Sequence, residues 1–405
     1  MIYLDNHATT RVDPRVVAAM LPYFSEQYGN SGSAGHAFGE TASAAVQRSR
    51  ETIAACLGAK SSEIVFTSGA TESNNLAIRG VGERRSRGHA EQKNNRRGHL
   101  ISVRTEHQAV LDPLRRLAKH NFEVTLLEVE THGNSRAGWL DPQKVADSLC
   151  DDTVLVSVML ANNEIGAIQP LAEIGALCRL RGALLHCDAT QAVGKISIDM
   201  RQLPIDLMSF SAHKIYGPKG VGSLFVRSSN PIVRLEPQIT GGGQQGGRRS
   251  GTLNTPGIVG LAKALELCVG ELSAESQRLA SLRNRLWQGL ASRLGHLQLC
   301  GPALDALDEA GRPLRLPGNL NVSFGDVDGE ALLLAMGNLA VSSGATCASA
   351  DLGPSHVLLA LGMGEDWARS SLRFGLGRFN TKEDVEQAIN IVATAVEKLR
   401  KLASA

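Results

Sequence analysis

The sequence predicts an α/β protein. A large N-terminal part holds a mostly parallel sheet flanked by helices, and a smaller α+β part follows at the C-terminus. Three observations carry this expectation. From residue 64 to 226, short apolar strand-like runs alternate with stretches of helical period, the pattern of crossover units that build a parallel sheet covered on both faces. Several of those runs end in polar clusters, and such sheets gather ligands outside the carboxyl ends of their strands. Near residue 258 the alternation gives way to a mixed segment. The chain therefore divides into residues 1–258 and 259–405, and an N-terminal arm, 1–15, is expected to pack on the smaller part.

Taken in order, Asp13-Pro14 opens a helix through Tyr23 with proline in its first turn. A loop rich in glycine and serine, 29–35, leads into a helical pattern over 37–57. Strands are expected at 64–67, 100–103, 124–127, 154–159 and 183–186, with helices between them at 110–120 and 171–181. An apolar run over 205–210 ends in Ser211-Ala-His-Lys214, Gly217-Pro218 break the chain, and 221–226 reads as another strand. The glycine-dense stretch 241–251 lets its backbone approach a ligand or a partner subunit closely, or forms a plain flexible loop. A long helical region then runs from Pro256 to about 294. Strands at 319–324, 339–342 and 372–374 and a last helix over 381–402 complete the chain.

Composition excludes several classes. Of 405 residues, 43% are hydrophobic and 20% charged, ordinary for a globular enzyme. A formal charge of +2 gives no general attraction to nucleic acid or membrane. Seven cysteines, an odd number without a CxxC pair, argue against a disulfide framework or zinc ribbon and for a reducing compartment. With neither a signal-like start nor an apolar run of about 18 residues, a cytoplasmic protein is expected. The basic stretch 84–97 reads as a solvated surface loop, with a docking site for an acidic partner as the sharper alternative. It has no interleaved aromatic to stack on bases.

The strand-end clusters carry the chemistry. Lys214, on a turn beside Ser211 and His213, is placed to form a Schiff base, since burial or a nearby cation would expose its neutral amine. Lys219 is close enough to compete, and either could be a solvated turn lysine. Ser68–Asn75 puts glycine and hydroxyls at a helix start, suited to a phosphate, although capping alone explains Ser68 and Thr71. His107 could lie over a flat cofactor or be a satisfied turn residue. Asp188 could keep a ring nitrogen protonated, as pyridoxal phosphate requires. A metal site at His186-Cys187-Asp188 is disfavoured because adjacent strand residues face opposite ways and no further ligands lie at suitable spacing.

These residues resemble the cysteine desulfurases of the NifS/IscS type, pyridoxal-phosphate enzymes of fold-type I within the class V aminotransferase group. The likeness runs nearly end to end. It covers the segments 3–10, 67–75, 105–107, 161–166 and 188–191, then 211–214, 249–252, 342–347 and 371–374. The resemblance implies that Lys214 holds the cofactor covalently and later moves a proton, while His107 stacks on its ring. Asp188 pairs with the ring nitrogen and Gln191 with the phenolic oxygen. Thr71, Ser211 and His213 take the phosphate, with the Ala70 backbone adjacent. Thr252 reaches the phosphate of the partner subunit, which implies a homodimer. Asn163 and Arg373 grip the carboxylate of L-cysteine, and Asn30 lines the substrate side.

Cys347 is the candidate nucleophile, in a run of small residues compatible with a mobile loop. It would pass its persulfide to a protein acceptor such as an iron–sulfur scaffold, leaving L-alanine. A small buried cysteine is the bland alternative. Four features depart from the family pattern: the residues flanking Cys347, Gln244-Gln245 in the glycine loop, the basic stretch, and His7. A selenocysteine lyase, another class V enzyme, or an inactive scaffold are the competing readings.

Overall fold

The computed structural model describes residues 1–88, 98–343 and 353–403. A short N-terminal strand, β1 (Ile2–Tyr3), precedes the seven strands of the main sheet. These are β2 (Ile64–Thr67), β3 (His99–Val103), β4 (Glu123–Leu127), β5 (Thr153–Ser157), β6 (Leu184–Asp188), β7 (Leu207–Ser211) and β8 (Gly222–Val226). Their spatial order is β2-β8-β7-β6-β5-β3-β4. All neighbours are parallel except that β8 runs antiparallel to both β2 and β7. Chain direction through the order reverses between β3 and β5, and the carboxyl ends of β2, β3, β5, β6 and β7 share one edge.

Adjacent residues on these strands belong to opposite apolar layers, as a pleated strand dictates. Phe66, Ile101, Val156, Met208 and Phe225 join one core, and Val65, Leu100, Leu155, Leu207 and Leu224 the other. Helices cover both faces, including Ala37–Leu57, Ala70–Gly88, Gln108–Ala118 and Leu171–Leu180. The mostly parallel, doubly covered sheet expected from the sequence is present.

A four-stranded sheet follows, ordered β12-β13-β10-β9, from β9 (Leu297–Leu299), β10 (Asn319–Phe324), β12 (Ser342–Ser343) and β13 (Ser371–Gly375). Every pairing in it is antiparallel. The single strand expected over 339–342 is two. Its first part, β11 (Leu339–Ala340), pairs with β1, and only the second joins the sheet. A 37-residue helix, Thr255–Ala291, about 55 Å long, ties the cores together. Ile258, Leu261 and Leu265 pack into the main core, and Leu279, Leu286 and Leu290 into the second. Ile2 and Leu4 of the arm are also in that second core.

Two local expectations change. The helix expected from Pro14 to Tyr23 stops at Met20, and Pro22 starts a separate turn, since proline cannot donate into a continuing helix. The basic stretch is not wholly a loop: residues 84–88 finish the helix Ala70–Gly88, and 89–97 lie outside the described residues. In the glycine loop, Gln245 takes over a strand's role. Its carboxamide accepts from Phe66 N (2.7 Å) and donates to Phe66 O (2.8 Å), so it closes the free edge of β2.

Candidate active site

A cavity of about 850 Å³ opens at the shared carboxyl edge. After β2 the chain turns at Gly69, whose φ of +154° favours glycine. The helix Ala70–Gly88 begins at once, and Ala70 and Thr71 at its N-terminus face the cavity beside Ser211. The unpaired N–H groups of a first turn and the helix dipole make this end an anion site. His213 lines the same space, its Nδ1 3.2 Å from Thr9 Oγ1. Burial, with Lys214, Lys219 and Lys195 nearby, pushes His213 down to about 4, so the ring is neutral.

Across the cavity, Asp188 ends β6. One oxygen accepts from Asn74 Nδ2 at 2.7 Å and the other from Thr190 N at 3.0 Å. His107 caps the helix Gln108–Ala118, with its Nδ1 accepting from Ala109 N at 3.0 Å. The ring proton of the neutral histidine therefore sits on Nε2. Burial lowers the His107 pKa, and the ring keeps an open side on the cavity. Glu106, directly before it, is fully buried near Asp188, which raises its pKa well above the carboxylate range.

Lys214 follows β7 in a short 3-10 turn. Its Nζ donates to the carbonyls of His7 and Ala8, both at 2.6 Å. Burial, helped by Arg373 and opposed by Asp5 and Asp188, brings its pKa down to about 8. Lys219 also lines the cavity but is exposed. Burial thus distinguishes Lys214, which the family resemblance singles out, from Lys219.

The opposite wall comes from the four-stranded sheet. Arg373 on β13 donates to Asn163 O (3.0 Å), Asp5 Oδ1 (3.1 Å) and Ser342 Oγ (2.8 Å), while its Nε is buried without a partner among the described residues. Asn163 also lines the cavity. Cys347 lies outside the described residues, but both flanks of its segment, Ser342–Ser343 and Ser355–His356, line the cavity. Ser355 Oγ donates to Glu164, and His356 Nε2 bonds Glu106 O at 2.9 Å.

The structure therefore gathers Ala70, Thr71, His107, Asn163, Asp188, Gln191, Ser211, His213, Lys214 and Arg373 around one space. Asn30 and Thr252 are not part of it. Both are exposed, and Asn30 Oδ1 is occupied by Gly32 N. Cys178 and Cys268 are buried in helices and Cys56 is half-buried in another. His186 spends both ring nitrogens on Ser157 and Ser209.

Residues 2–388 match the family model for aminotransferase class-V. The chain belongs to that family. It is 52% identical over 401 residues to the cysteine desulfurase IscS of Anaeromyxobacter dehalogenans (strain 2CP-C), covering 99% of this chain and 94% of that protein. A solved NifS-like protein superposes with a TM-score of 0.83 at 36% identity, over 100% of this chain and 99% of its own. SspA in complex with cysteine gives a TM-score of 0.76 at 33% identity, over 94% of this chain and 100% of its own.

Within this class-V chain, sequence reasoning missed residues that hold others. Asn74, on the first turns of a helix, is fully buried against Asp188. His7 and Lys195 both bond Gln191 Oε1, at 3.0 and 2.7 Å. Asp5 braces Arg373. A signal for Asn74 existed in its helical spacing from Ala70 and Thr71; none was available for the pairs that form across the chain.

Proposed function

We infer that the protein is a pyridoxal-phosphate-dependent cysteine desulfurase, converting L-cysteine to L-alanine and passing the sulfur on through Cys347. One observation carries this: a half-buried lysine, a braced aspartate, an open-faced histidine and a helix N-terminus converge on one cavity in a chain of this family.

The donor set fits the cofactor. Thr71, Ser211, His213 and the Ala70 N–H would take its phosphate, Asp188 its ring nitrogen and Gln191 its phenolic oxygen. When bound, pyridoxal phosphate supplies an electron sink for the substrate's α-carbon. The chain's own residues do the rest. Lys214, with its pKa brought down to about 8, gives up its proton more readily than a free lysine, as covalent attachment needs, and once displaced would take the substrate α-proton. Arg373, already fixed by Asp5 and Ser342, would clamp the substrate carboxylate together with Asn163. His107 would cover the ring.

The Cys347 thiolate would attack the substrate sulfur. An S–S bond forms, the C–S bond breaks, and its electron pair stays with the three-carbon fragment, which is protonated to alanine. The balance is cysteine plus thiol giving alanine plus persulfide, with no outside oxidant. A protein acceptor, such as an iron–sulfur scaffold, would then collect the outer sulfur in a reducing, cytoplasmic setting.

A homodimer belongs to this reading. Thr252 is exposed and outside its own chain's cavity, where it would reach the partner's phosphate. Leu21, Phe24, Tyr28 and Phe38 add exposed apolar surface for that contact. Light scattering on the purified protein checks it, with two copies expected.

The functional test is alanine and sulfide release from L-cysteine with a reductant present. Equal yields are expected, and absence of alanine would refute the assignment. Wild-type sulfide release by Cys347→Ala would remove Cys347 from its role. Selenocysteine as a parallel substrate tests the lyase alternative.

A further inference from the structure

Gln191 has one cavity-facing task in the reading above, and the structure shows what fixes its carboxamide. The side chain is 3% exposed on the turn after β6. Its Oε1 receives two donors, Lys195 Nζ at 2.7 Å and His7 Nδ1 at 3.0 Å, and its Nε2 donates to His7 O at 2.9 Å. An amide oxygen has two acceptor positions and an amide nitrogen two hydrogens. Both acceptor positions are filled and one hydrogen is used, which leaves one N–H on a residue that lines the cavity. Turning the amide over would set N–H against the Lys195 ammonium and oxygen against the His7 carbonyl. Two bonds would become two repulsions.

We propose that Lys195 is a positioning residue for Gln191, holding its carboxamide so that the free N–H faces the phenolic oxygen of bound pyridoxal phosphate. The proposal rests on the cofactor reading above. Lys195 sits where a cation is costly. Around it are His7 from the arm, Lys214 and Tyr216 after β7, Cys268 and Glu275 from the helix Thr255–Ala291, and Arg373 and Arg378 from the C-terminal part. Burial, together with Lys214 and Arg373 and against Cys268, brings it down to about 7. An apolar side chain of similar length would fill this space without that cost, so the amine is better explained by the Gln191 oxygen it donates to. The orientation also sets His7: with Nδ1 donating, its buried Nε2 is a bare acceptor without a partner among the described residues.

The test is a double-mutant cycle on the full-length protein, read by cofactor binding and by the pH midpoint of the visible absorbance of the lysine-bound cofactor. Lys195→Met is expected to weaken pyridoxal phosphate binding to apo-protein by roughly 3- to 30-fold, the scale of one or two lost hydrogen bonds. It should raise the pH midpoint by about one unit, because the phenolic oxygen loses a donor with a cation behind it. Lys195→Arg should restore both. In a Gln191→Leu background, Lys195→Met should change neither. An unchanged midpoint in Lys195→Met, or an equal shift in the Gln191→Leu background, overturns the proposal. If Lys195→Met does not fold, the same cycle is read on Lys195→Gln, which keeps a donor and loses the charge; it should shift the midpoint in the same direction. Failure of the wild type to bind the cofactor would instead overturn the underlying reading.

Discussion

The seven-stranded sheet brings residues to the cavity that neighbouring side chains, one of them from the N-terminal arm, hold from behind, whereas the four-stranded sheet brings residues held at the rim by Asp5 of that arm. Asp188 rests on fully buried Asn74, and Gln191 on His7 and Lys195. Arg373 and Ser342 instead share Asp5, which bridges to Gly375 at the end of β13. The difference separates two tasks. In the proposed function, the parallel edge would offer a preorganised seat for a flat, anionic cofactor. The antiparallel edge carries Arg373 and the stem of the segment bearing Cys347, which in the proposed function would clamp the substrate carboxylate and serve substrate and acceptor.

Substitutions can break this division. Lys214→Ala should abolish the visible absorbance and reduce alanine formation by at least about 10²–10⁴-fold, the scale of a lost proton-transfer group alone. Persistence of both would refute its role. Cys347→Ala should keep the absorbance and lose sulfide release, a result that would separate cofactor seat from sulfur relay. Arg373→Lys should raise KM for cysteine about 10- to 100-fold with the absorbance unchanged, because an ammonium cannot make the two-pronged bond; steady-state kinetics check it. Asn74→Ala, behind Asp188, should lower kcat about tenfold, on the scale of one hydrogen bond to a charged group.

The smallest effect tests the arm. Asp13 is held well below the usual carboxylate range by Arg15 first, against some burial, with Arg378 adding a 2.6 Å bond. A depressed carboxylate stabilises the fold above its unfolded pKa, and that contribution is lost as pH falls through the folded value. Asp13→Asn should therefore lower the melting temperature by about 1–3 °C at pH 7. The gap should close in strong acid; a gap that stayed constant in acid would exclude linkage.

The sheet and most cavity residues were legible because each cluster follows its own strand within a few residues: Thr71 after β2, His107 after β3, Asp188 at β6, Lys214 after β7. Local sequence order states such placements directly. The braces were not legible, since Asp5 with Arg373 and His7 with Gln191 are pairs more than 180 residues apart. The strand at 339–342 was misread as one because its alternation gives no sign that its two halves pair with different neighbours. Gln245 was noticed only as a departure in a glycine loop, although its work is on a strand edge.

That edge has a consequence for solubility. Phe66 would otherwise present an unpaired N–H and C=O on the outermost strand of a large sheet, the template on which another chain can add. A single carboxamide occupies both groups. Gln245→Ala should leave the cavity intact and yet make the protein more prone to aggregate on storage, a liability set by one side chain far in sequence from the strand it shields.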